Sequence, residues 1–230
     1  LMLQQTQVDR VIPKYQDFID RYPDVFALAT APLGDIIALW NGLGYNRRAK
    51  FLHDAAAKIV TDFDGHVPST FEGLVSLPGI GPNTAGAILA YGFNQPAGFI
   101  ETNIRTVYFQ HFFADSHLVT DDELRKVVGE TADTEHPRQW FWALMDYGSY
   151  LKKQGSGQLD KSAHYKKQPA LKGSVREVRG QIIRTLTKAD LTHDELREDV
   201  VADERFDGAL AVLQKEGLVT LTSGYYHLTK

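Results

Sequence analysis

The chain has 230 residues, of which 43% are hydrophobic and 23% charged, and a formal net charge of −4 at pH 7. This length can bury a sizeable core and fits one large domain or two smaller ones. No apolar run approaches the roughly 18–20 residues of a membrane span and no signal peptide is visible, so we expect an intracellular soluble protein. The absence of cysteine excludes disulfides, thiolate zinc sites and cysteine-ligated iron–sulfur clusters. The eight histidines are scattered, so we predict no structural metal.

The charge distribution is more informative than the net charge, which by itself argues weakly against a nucleic-acid partner. Residues 138–180 hold nine Lys or Arg against three acids, and Arg47, Arg48 and Lys50 form a second basic cluster. A charge run alone is more often a solvated face. Beside a phosphate-binding turn, these clusters favour a DNA-binding surface.

The spacing of apolar residues predicts a chain that opens inside a helix, which continues to about Tyr22. Glycines break the chain at Gly42 and Gly44, and Thr120 with Glu123 predicts a capping box. The further helices predicted up to residue 153 are a short one between Pro23 and Pro32, then 33–40, 47–63, a short helix capped by Ser69-Thr70, 83–93, 102–113, 121–132 and 138–153.

Residues 154–173 have the composition of a loop and linker, with Gly155, Gly157 and Pro169. After it, Ser174-x-x-Glu177 and Thr192-x-x-Glu195 predict capping boxes that start two helices. A third helix near 206–216 and strands at 218–221 and 225–228, joined by Ser223-Gly224, complete a winged-helix pattern. We therefore predict a mainly α protein in three parts: a helical core at 1–135 with a hairpin at about 71–93, a helical subdomain and basic linker at 136–173, and a winged-helix-like domain at 174–230.

The stretch Leu77-Pro78-Gly79-Ile80-Gly81-Pro82-Asn83-Thr84 predicts a tight hairpin between two helices. The second glycine leaves the backbone N–H groups of the next helix bare, which suits a phosphate. The alternative is a plain helix–helix turn.

Glu101 follows at the start of the next helix, with Asn103 two residues later. A carboxylate there is a helix cap, or it faces an extruded nucleotide and stabilises positive charge on the sugar as the base departs. Asn103 then holds the carboxylate or the sugar by a hydrogen bond. We interpret Asp146 as a structural cap or acceptor.

Two further groups favour contact with an opened duplex. Leu3-Gln4-Gln5-Thr6-Gln7 places amides on one helix end, where they fill the gap left by a flipped base or form only a polar face. Tyr45, on a glycine-flanked turn, is a wedge into the base stack or a half-buried loop aromatic.

Together these segments resemble the helix-hairpin-helix DNA glycosylases, most closely adenine glycosylases of the MutY type, with endonuclease III as a more distant relative. The resemblance runs from Leu1 to about Tyr150. The segments that carry it are Met2-Leu3-Gln4-Gln5-Thr6-Gln7-Val8, Gly42-Leu43-Gly44-Tyr45, Leu77-Pro78-Gly79-Ile80-Gly81, Thr84-Ala85-Gly86-Ala87-Ile88-Leu89 and Leu144-Met145-Asp146-Tyr147-Gly148.

The resemblance implies a six-helix barrel with a second helical subdomain, and a base-excision repair enzyme that flips a base and cuts its glycosidic bond. Glu101 and Asn103 match the catalytic positions. Gln4 and Gln5 would occupy the opened stack, and Tyr45 would intercalate beside the opposite base. The other DNA-binding residues that it implies are Arg47, Leu77, Gly79, Ile80, Gly81, Asn83 and Thr84, with a monovalent cation on the hairpin carbonyls and no other cofactor.

Two departures from the family concern the chemistry. Glu101 stands where the family has aspartate, and its extra methylene moves the carboxylate by about 1.5 Å. A misplacement on the order of 1 Å can cost ~100-fold in rate. Asn83 stands where endonuclease III carries its Schiff-base lysine, so we expect a monofunctional enzyme without lyase activity.

Three departures concern the chain around the site. The family general-acid glutamate would lie just before Leu1, so we expect the natural N-terminus to be missing. The cysteine-free segment Lys152 to Gln168 replaces the iron–sulfur loop, and its lysines would take over phosphate contacts. A winged-helix-like unit stands where adenine glycosylases have the domain that reads 8-oxoguanine.

The leading hypothesis is thus a monofunctional glycosylase for adenine opposite 8-oxoguanine or guanine in double-stranded DNA. Alternatives are excision of thymine, uracil or a deaminated base, and a non-catalytic protein that binds distorted DNA. We expect a monomer in the cytoplasm, associated with the nucleoid and without a membrane partner.

Overall fold

The computed structural model describes residues 1–156, 158–163, 170–200 and 203–230. Within these ranges the fold has twelve α-helices and one antiparallel pair of strands. In chain order they are α1 (Val8–Arg21), α2 (Val25–Thr30), α3 (Leu33–Trp40), α4 (Arg47–Asp62), α5 (Phe71–Val75), α6 (Pro82–Phe93), α7 (Thr102–His111), α8 (Asp121–Thr131), α9 (Pro137–Lys153), α10 (Val175–Leu186), α11 (His193–Asp199), α12 (Arg205–Lys215), β1 (Val219–Thr222) and β2 (Tyr225–Leu228).

The predicted mainly α fold is confirmed, and local sequence explains many of the helix ends. Thr120 and Thr192 each accept from the backbone three residues on, while Glu123 and Glu195 reach back to the cap, so both capping boxes form as predicted. The Thr70 side chain caps α5 by accepting from the backbone N–H of Gly73. These ends are decided within four residues, which is why the sequence predicts them.

Two local predictions are wrong. The chain does not open inside a helix: residues 1–7 form turns, with Gln5 in the left-handed region at φ 55°, and α1 begins at Val8. Ser174 makes no capping box, because its hydroxyl donates to the Leu171 carbonyl at 2.6 Å and Glu177 accepts from the backbone of Gly173 at 2.7 Å. The linker predicted at 154–173 falls partly on Gly157 and 164–169, outside the described residues.

The chain forms two compact units. Unit 1 contains Leu1–Val67, Leu77–Gly79 and Pro169–Lys230, and unit 2 contains Pro68–Ser76 and Ile80–Gln168. The division of the sequence into three parts stays a prediction. No helix in the described ranges is long and apolar enough to cross a membrane.

One hydrophobic core in unit 1 joins the first four helices to the last sixty residues. Side chains of α3 that are fully buried, including Trp40, share this core with Ile182 of α10 and Phe206 of α12. The C-terminal region, residues 174–230, therefore packs with the start of the chain.

The C-terminal region ends in a strand pair. β1 and β2 are antiparallel, with Val219 opposite Leu228 and Thr222 opposite Tyr225. Ser223 and Gly224 both have positive φ, as a two-residue type I′ hairpin turn requires. Three helices followed by a hairpin is the predicted order, and the winged-helix character stays a prediction.

The core of unit 2 is built on the packing of α7 against α9. Phe99, Tyr108 and Phe141 are each at most 2% exposed in this core. Gly148 of α9 faces the backbone of Asn103, where an added Cβ would lie 2.2 Å from the carbonyl oxygen. This close approach fixes the first turn of α7 on α9.

Candidate functional site

The Glu101 carboxylate caps α7 in unit 2. Its Oε1 atom accepts from the backbone N–H groups of Asn103 at 2.6 Å and Ile104 at 3.2 Å. Its Oε2 atom makes no hydrogen bond within the described ranges. The helix-cap contact considered for this residue is therefore present, and it fixes a half-buried carboxylate at the positive end of a helix dipole. Such a fixed charge stabilises a cation that develops beside it.

Asn103 is the second residue of α7, in its first turn. Its Nδ2 atom is 3.9 Å from Met145 Sδ, and its Oδ1 atom is buried without a hydrogen-bond partner among the described residues. A buried acceptor without a donor is costly, and a bound ligand is one way to satisfy it.

Tyr91, in the last turn of α6, lies near Glu101 and Asp146. Sequence reasoning did not identify it as a site residue. Its hydroxyl is buried and has no partner in the described part of the chain, while its ring packs on Phe99 and Trp142. Burial raises the pKa of Tyr91 above its usual range, and the charges of Glu101 and Asp146 raise it further. Tyr91 is therefore neutral at pH 7 and able to donate a hydrogen bond. An aromatic residue in an apolar helix usually lies in the core, so no sequence pattern marks Tyr91 as a site residue.

The hairpin glycines differ in surroundings. Gly79 has φ +75°, and an added Cβ would lie 2.7 Å from Phe51 Cβ. Gly81 is exposed and extended, with nothing within 4 Å of an added Cβ. No side chain caps α6, whose first residue is Pro82. The backbone at Gly81 is thus open to an incoming group. Leu77 and Ile80 are buried.

Asn83 and Thr84 form the first turn of α6. The exposed Asn83 accepts through Oδ1 from the backbone N–H of Ile100 at 3.3 Å, and Thr84 is half-buried. The hydrogen bond joins the start of α6 to the residue before Glu101. Unit 2 therefore brings together Asn83, Glu101 and Asn103.

Arg48 organises the candidate residues of unit 1. Its side chain is only 7% exposed, and burial lowers its pKa. The acceptors of its guanidinium are Leu1 O at 3.0 Å, Met2 O at 3.0 Å, Gln4 O, Thr6 Oγ1 at 3.0 Å, Leu43 O at 3.3 Å and Gly44 O at 2.9 Å. One side chain thereby ties residues 1–6 to the turn at 42–45. The DNA-facing role expected for Arg48 is wrong, because the residue is buried; Lys50 pairs with Asp54 at 2.8 Å.

The two glutamines have different surroundings. Gln4 is half-buried and donates through Nε2 to the Gly79 carbonyl at 3.2 Å, whereas Gln5 is exposed. Gln4 thus contacts one of the hairpin carbonyls that we predicted to bind a monovalent cation. Arg47 is also exposed, with its guanidinium 4.8 Å from the ring centre of Phe51.

Tyr45 has a left-handed backbone at φ 48° and is 36% exposed. Its hydroxyl accepts from Arg176 Nη1 at 2.9 Å. The guanidinium groups of Arg48 and Arg176 lie 5.5 and 5.8 Å from its ring centre. Unit 1 therefore brings together Gln4, Tyr45 and Gly79 around Arg48.

Among the lysines of the segment from Lys152, Lys161 does not fit the expected phosphate-binding role. Lys161 donates to the carbonyls of Phe113 at 3.1 Å and Ala114 at 2.6 Å, so it serves the fold. Lys166 and Lys167 lie outside the described residues. The chain has no cysteine to ligate an iron–sulfur cluster, and no group of three His, Asp or Glu in the described ranges is arranged to hold a metal ion.

Comparison with known proteins places this geometry in a family. Residues 1–130 match the HhH-GPD superfamily base excision DNA repair protein profile. The adenine DNA glycosylase of Mycobacterium tuberculosis (strain CDC 1551 / Oshkosh) is 32% identical over 243 residues, covering 96% of this chain and 80% of that protein. The adenine DNA glycosylase of Buchnera aphidicola subsp. Baizongia pistaciae is 36% identical over 152 residues, covering 66% of this chain and 43% of that protein.

A solved structure with the same fold is a thermostable thymine-DNA glycosylase. It has a TM-score of 0.57 at 22% identity and covers 64% of this chain and 70% of its own. The predicted glycosylase fold is confirmed in this comparison. With the family profile matching more than half of its residues, the chain belongs to the HhH-GPD superfamily of base excision DNA repair proteins.

Proposed function

We propose that the chain is a monofunctional DNA N-glycosylase that removes adenine opposite 8-oxoguanine or guanine. The observation that carries the proposal is the Glu101 carboxylate, fixed at the start of α7 with Oε2 unused within the described ranges. The names of the two adenine DNA glycosylases support the same base. Excision of thymine, uracil or a deaminated base is the main alternative.

The chemistry follows from a fixed negative charge. When the bond between C1′ and the base nitrogen breaks, its electron pair leaves with the base, which takes up a proton. Glu101 stabilises the positive charge left on the sugar, and Asn103 Oδ1 accepts a hydrogen bond from the nucleotide or its water. The oxygen of water then bonds to C1′ and releases a proton.

Lyase chemistry has no nucleophile at the position that endonuclease III uses. Asn83 occupies it, and an amide nitrogen does not form a Schiff base. Its side chain is bonded to the backbone N–H of Ile100 instead. We therefore expect base removal without strand cleavage.

Binding of double-stranded DNA at a mispair is proposed for the residues of both units. The open backbone at Gly81, followed by Asn83 and Thr84, suits a phosphate. Gln4 and Gln5 fill the gap left by the flipped base, and Tyr45 enters the stack. The remaining residues proposed to support this contact are Arg47, Leu77, Gly79 and Ile80, with a monovalent cation on the hairpin carbonyls. A monomer acting at the nucleoid, in the cytoplasm, fits a DNA substrate.

The test uses duplex oligonucleotides that each carry one defined mispair, treated with hot alkali after single-turnover incubation. We expect cleavage after alkali only, with adenine opposite 8-oxoguanine or guanine preferred. Cleavage at thymine or uracil alone would replace the substrate. Binding to mispaired DNA without cleavage of any duplex would identify a non-catalytic protein that binds distorted DNA.

Variants at Glu101 test the catalyst itself. Glu101→Gln keeps an oxygen for the cap and removes the charge, so the rate should fall about 10³-fold while binding is retained. Glu101→Asp should raise the rate, because aspartate is a preferred cap residue and is the family residue at this position. Equal rates for wild type and Glu101→Gln would show that the carboxylate is only a cap.

A further inference from the structure

Tyr45 sits on a turn that does not hold its side chain by itself. Gly42 and Gly44 have φ of +97° and +75°, and Tyr45 is left-handed as well. This is a region that residues with a Cβ rarely adopt. No Cβ added at Gly44 would find an atom within 4 Å, so this side of the turn is open. Within this segment the Arg48 guanidinium lies 5.5 Å from the ring centre but makes no hydrogen bond to the hydroxyl, so a second contact from elsewhere in unit 1 is needed to fix the orientation of the ring.

Arg176 supplies that contact from the C-terminal region. It donates to the Tyr45 hydroxyl at 2.9 Å across 131 residues of sequence, and its guanidinium lies 5.8 Å from the ring centre. The two contacts fix different degrees of freedom, because one orients the hydroxyl and the other the ring face. A guanidinium can make both since it is planar and carries several donors.

Arg176 is attached to a helix that is packed into the core of unit 1. The neighbouring residues of α10, Val178 and Ile182, are 0% exposed in the core that joins the C-terminal region to the first four helices. Arg176 itself is half-buried in the first turn of α10. An anchor packed in this way transmits its position to the Tyr45 ring.

We propose that Arg176 is a positioning residue that holds the Tyr45 ring ready for entry into the base stack, so that the C-terminal region takes part in reading DNA. The inference rests on the proposed function of Tyr45. The alignment with the Mycobacterium tuberculosis adenine DNA glycosylase covers 96% of this chain, so it includes most of the C-terminal region. A role in positioning Tyr45 gives a reason why a glycosylase would keep the C-terminal region.

The experiment is a double-mutant cycle on DNA binding. Arg176→Ala, Tyr45→Ala and the pair are compared for the dissociation constant of a mispaired duplex and for the fluorescence of 2-aminopurine placed beside the mispair. We expect Arg176→Ala to weaken binding by about three- to tenfold, the range for ordering one side chain on binding, and to reduce the 2-aminopurine signal. In the Tyr45→Ala background the same change should have no effect.

Two further variants on α10 serve as controls for the loss of positive charge, and thermal unfolding serves as the control for loss of the fold. Arg184→Ala removes an exposed arginine of α10 and should leave binding unchanged. Arg176→Lys should bind the mispaired duplex as weakly as Arg176→Ala, because lysine keeps the charge but lacks the planar donors of arginine. Thermal unfolding of each variant checks that the fold is intact.

Three results would overturn the inference. The first is an equal loss of affinity on Arg176→Ala in the wild-type and Tyr45→Ala backgrounds. The second is a fall of about one in the slope of log affinity against log salt concentration on Arg176→Ala, which marks a direct phosphate contact. The third is wild-type affinity for Arg176→Lys or Arg176→Ala. The cycle does not require excision. A chain that shows the coupling but excises no base would contradict the proposed function and leave the inference standing; excision without coupling would do the reverse.

Discussion

In unit 2, Glu101 is held by two backbone N–H groups within three residues of it, whereas in unit 1 Tyr45 is held by Arg176, 131 residues away. The catalytic carboxylate of the proposed site thus depends on a helix cap, a local feature. The proposed wedge depends on packing between the two ends of the described chain. Damage to the long-range contacts should therefore affect DNA reading in unit 1 before it affects the carboxylate in unit 2.

The largest expected effect is on the buried arginine of unit 1. Arg48→Met keeps the side-chain stem and removes the group that satisfies six acceptors, so we expect a loss of about 4 kcal/mol in the free energy of unfolding. Chemical denaturation measures it. The matched control is Arg47→Met, next in sequence but exposed, which should cost less than about 1 kcal/mol. Equal costs would show that residues 1–6 do not depend on Arg48.

The two hairpin glycines provide the second test. A change at Gly79, in unit 1, should mainly lower stability, and a change at Gly81, in unit 2, should mainly weaken DNA binding. Gly79→Ala should cost about 2 kcal/mol, because its φ is +75° and the new Cβ meets Phe51. Gly81→Ala adds its methyl in open space, and because alanine is a poorer N-cap than glycine, the free energy of unfolding should fall by only about 0.5 kcal/mol. Binding of duplex DNA should nevertheless weaken for Gly81→Ala, because the new methyl lies where the phosphate is proposed to approach. Denaturation and binding curves for both variants separate these outcomes.

Two tyrosines of unit 2, the buried Tyr108 and the half-buried Tyr91, form the third comparison. The Tyr108 hydroxyl bonds to Thr131 Oγ1 at 2.6 Å, so Tyr108→Phe should cost about 1 kcal/mol. The Tyr91 hydroxyl has no partner within the described ranges, so Tyr91→Phe should be neutral or stabilising. Denaturation midpoints of the two variants measure the difference. A similar loss for both would mean that Tyr91 has a hydrogen-bond partner in solution.

The smallest effect concerns His193 in unit 1. Its hydrogen bond to Asp207, at 2.9 Å, raises the pKa of His193 above the usual 6.5. Because the folded pKa is raised, the stabilisation is complete below pH 6.5 and is lost as pH rises through the folded value. The thermal midpoint of wild type should therefore fall slightly above pH 6.5 relative to that of His193→Gln. Parallel pH profiles would contradict this.

Much of unit 2 could be predicted from the sequence. The caps at Thr120 and Glu101 depend on residues within a few positions of one another, and local backbone geometry decides them. Tyr91 was not predictable, since helical periodicity does not tell a core ring from one beside a carboxylate.

Parts of unit 1 could not be predicted from local sequence. Seven residues predicted to continue a helix form turns, because the carbonyls of Leu1, Met2 and Gln4 accept from the buried Arg48. Arg48 was grouped with exposed basic residues, since sequence does not reveal that six acceptors surround it, four of them in residues 1–6.

The sequence by itself determined the helical class, the hairpin, the cap at Glu101 and the family, because turn chemistry, apolar periodicity and motif spacing act over short stretches. Only the tertiary structure decided that the C-terminal region shares a core with the first four helices and that Arg176 meets Tyr45. Those contacts join segments that no local rule connects, and burial of a common apolar surface brings them together.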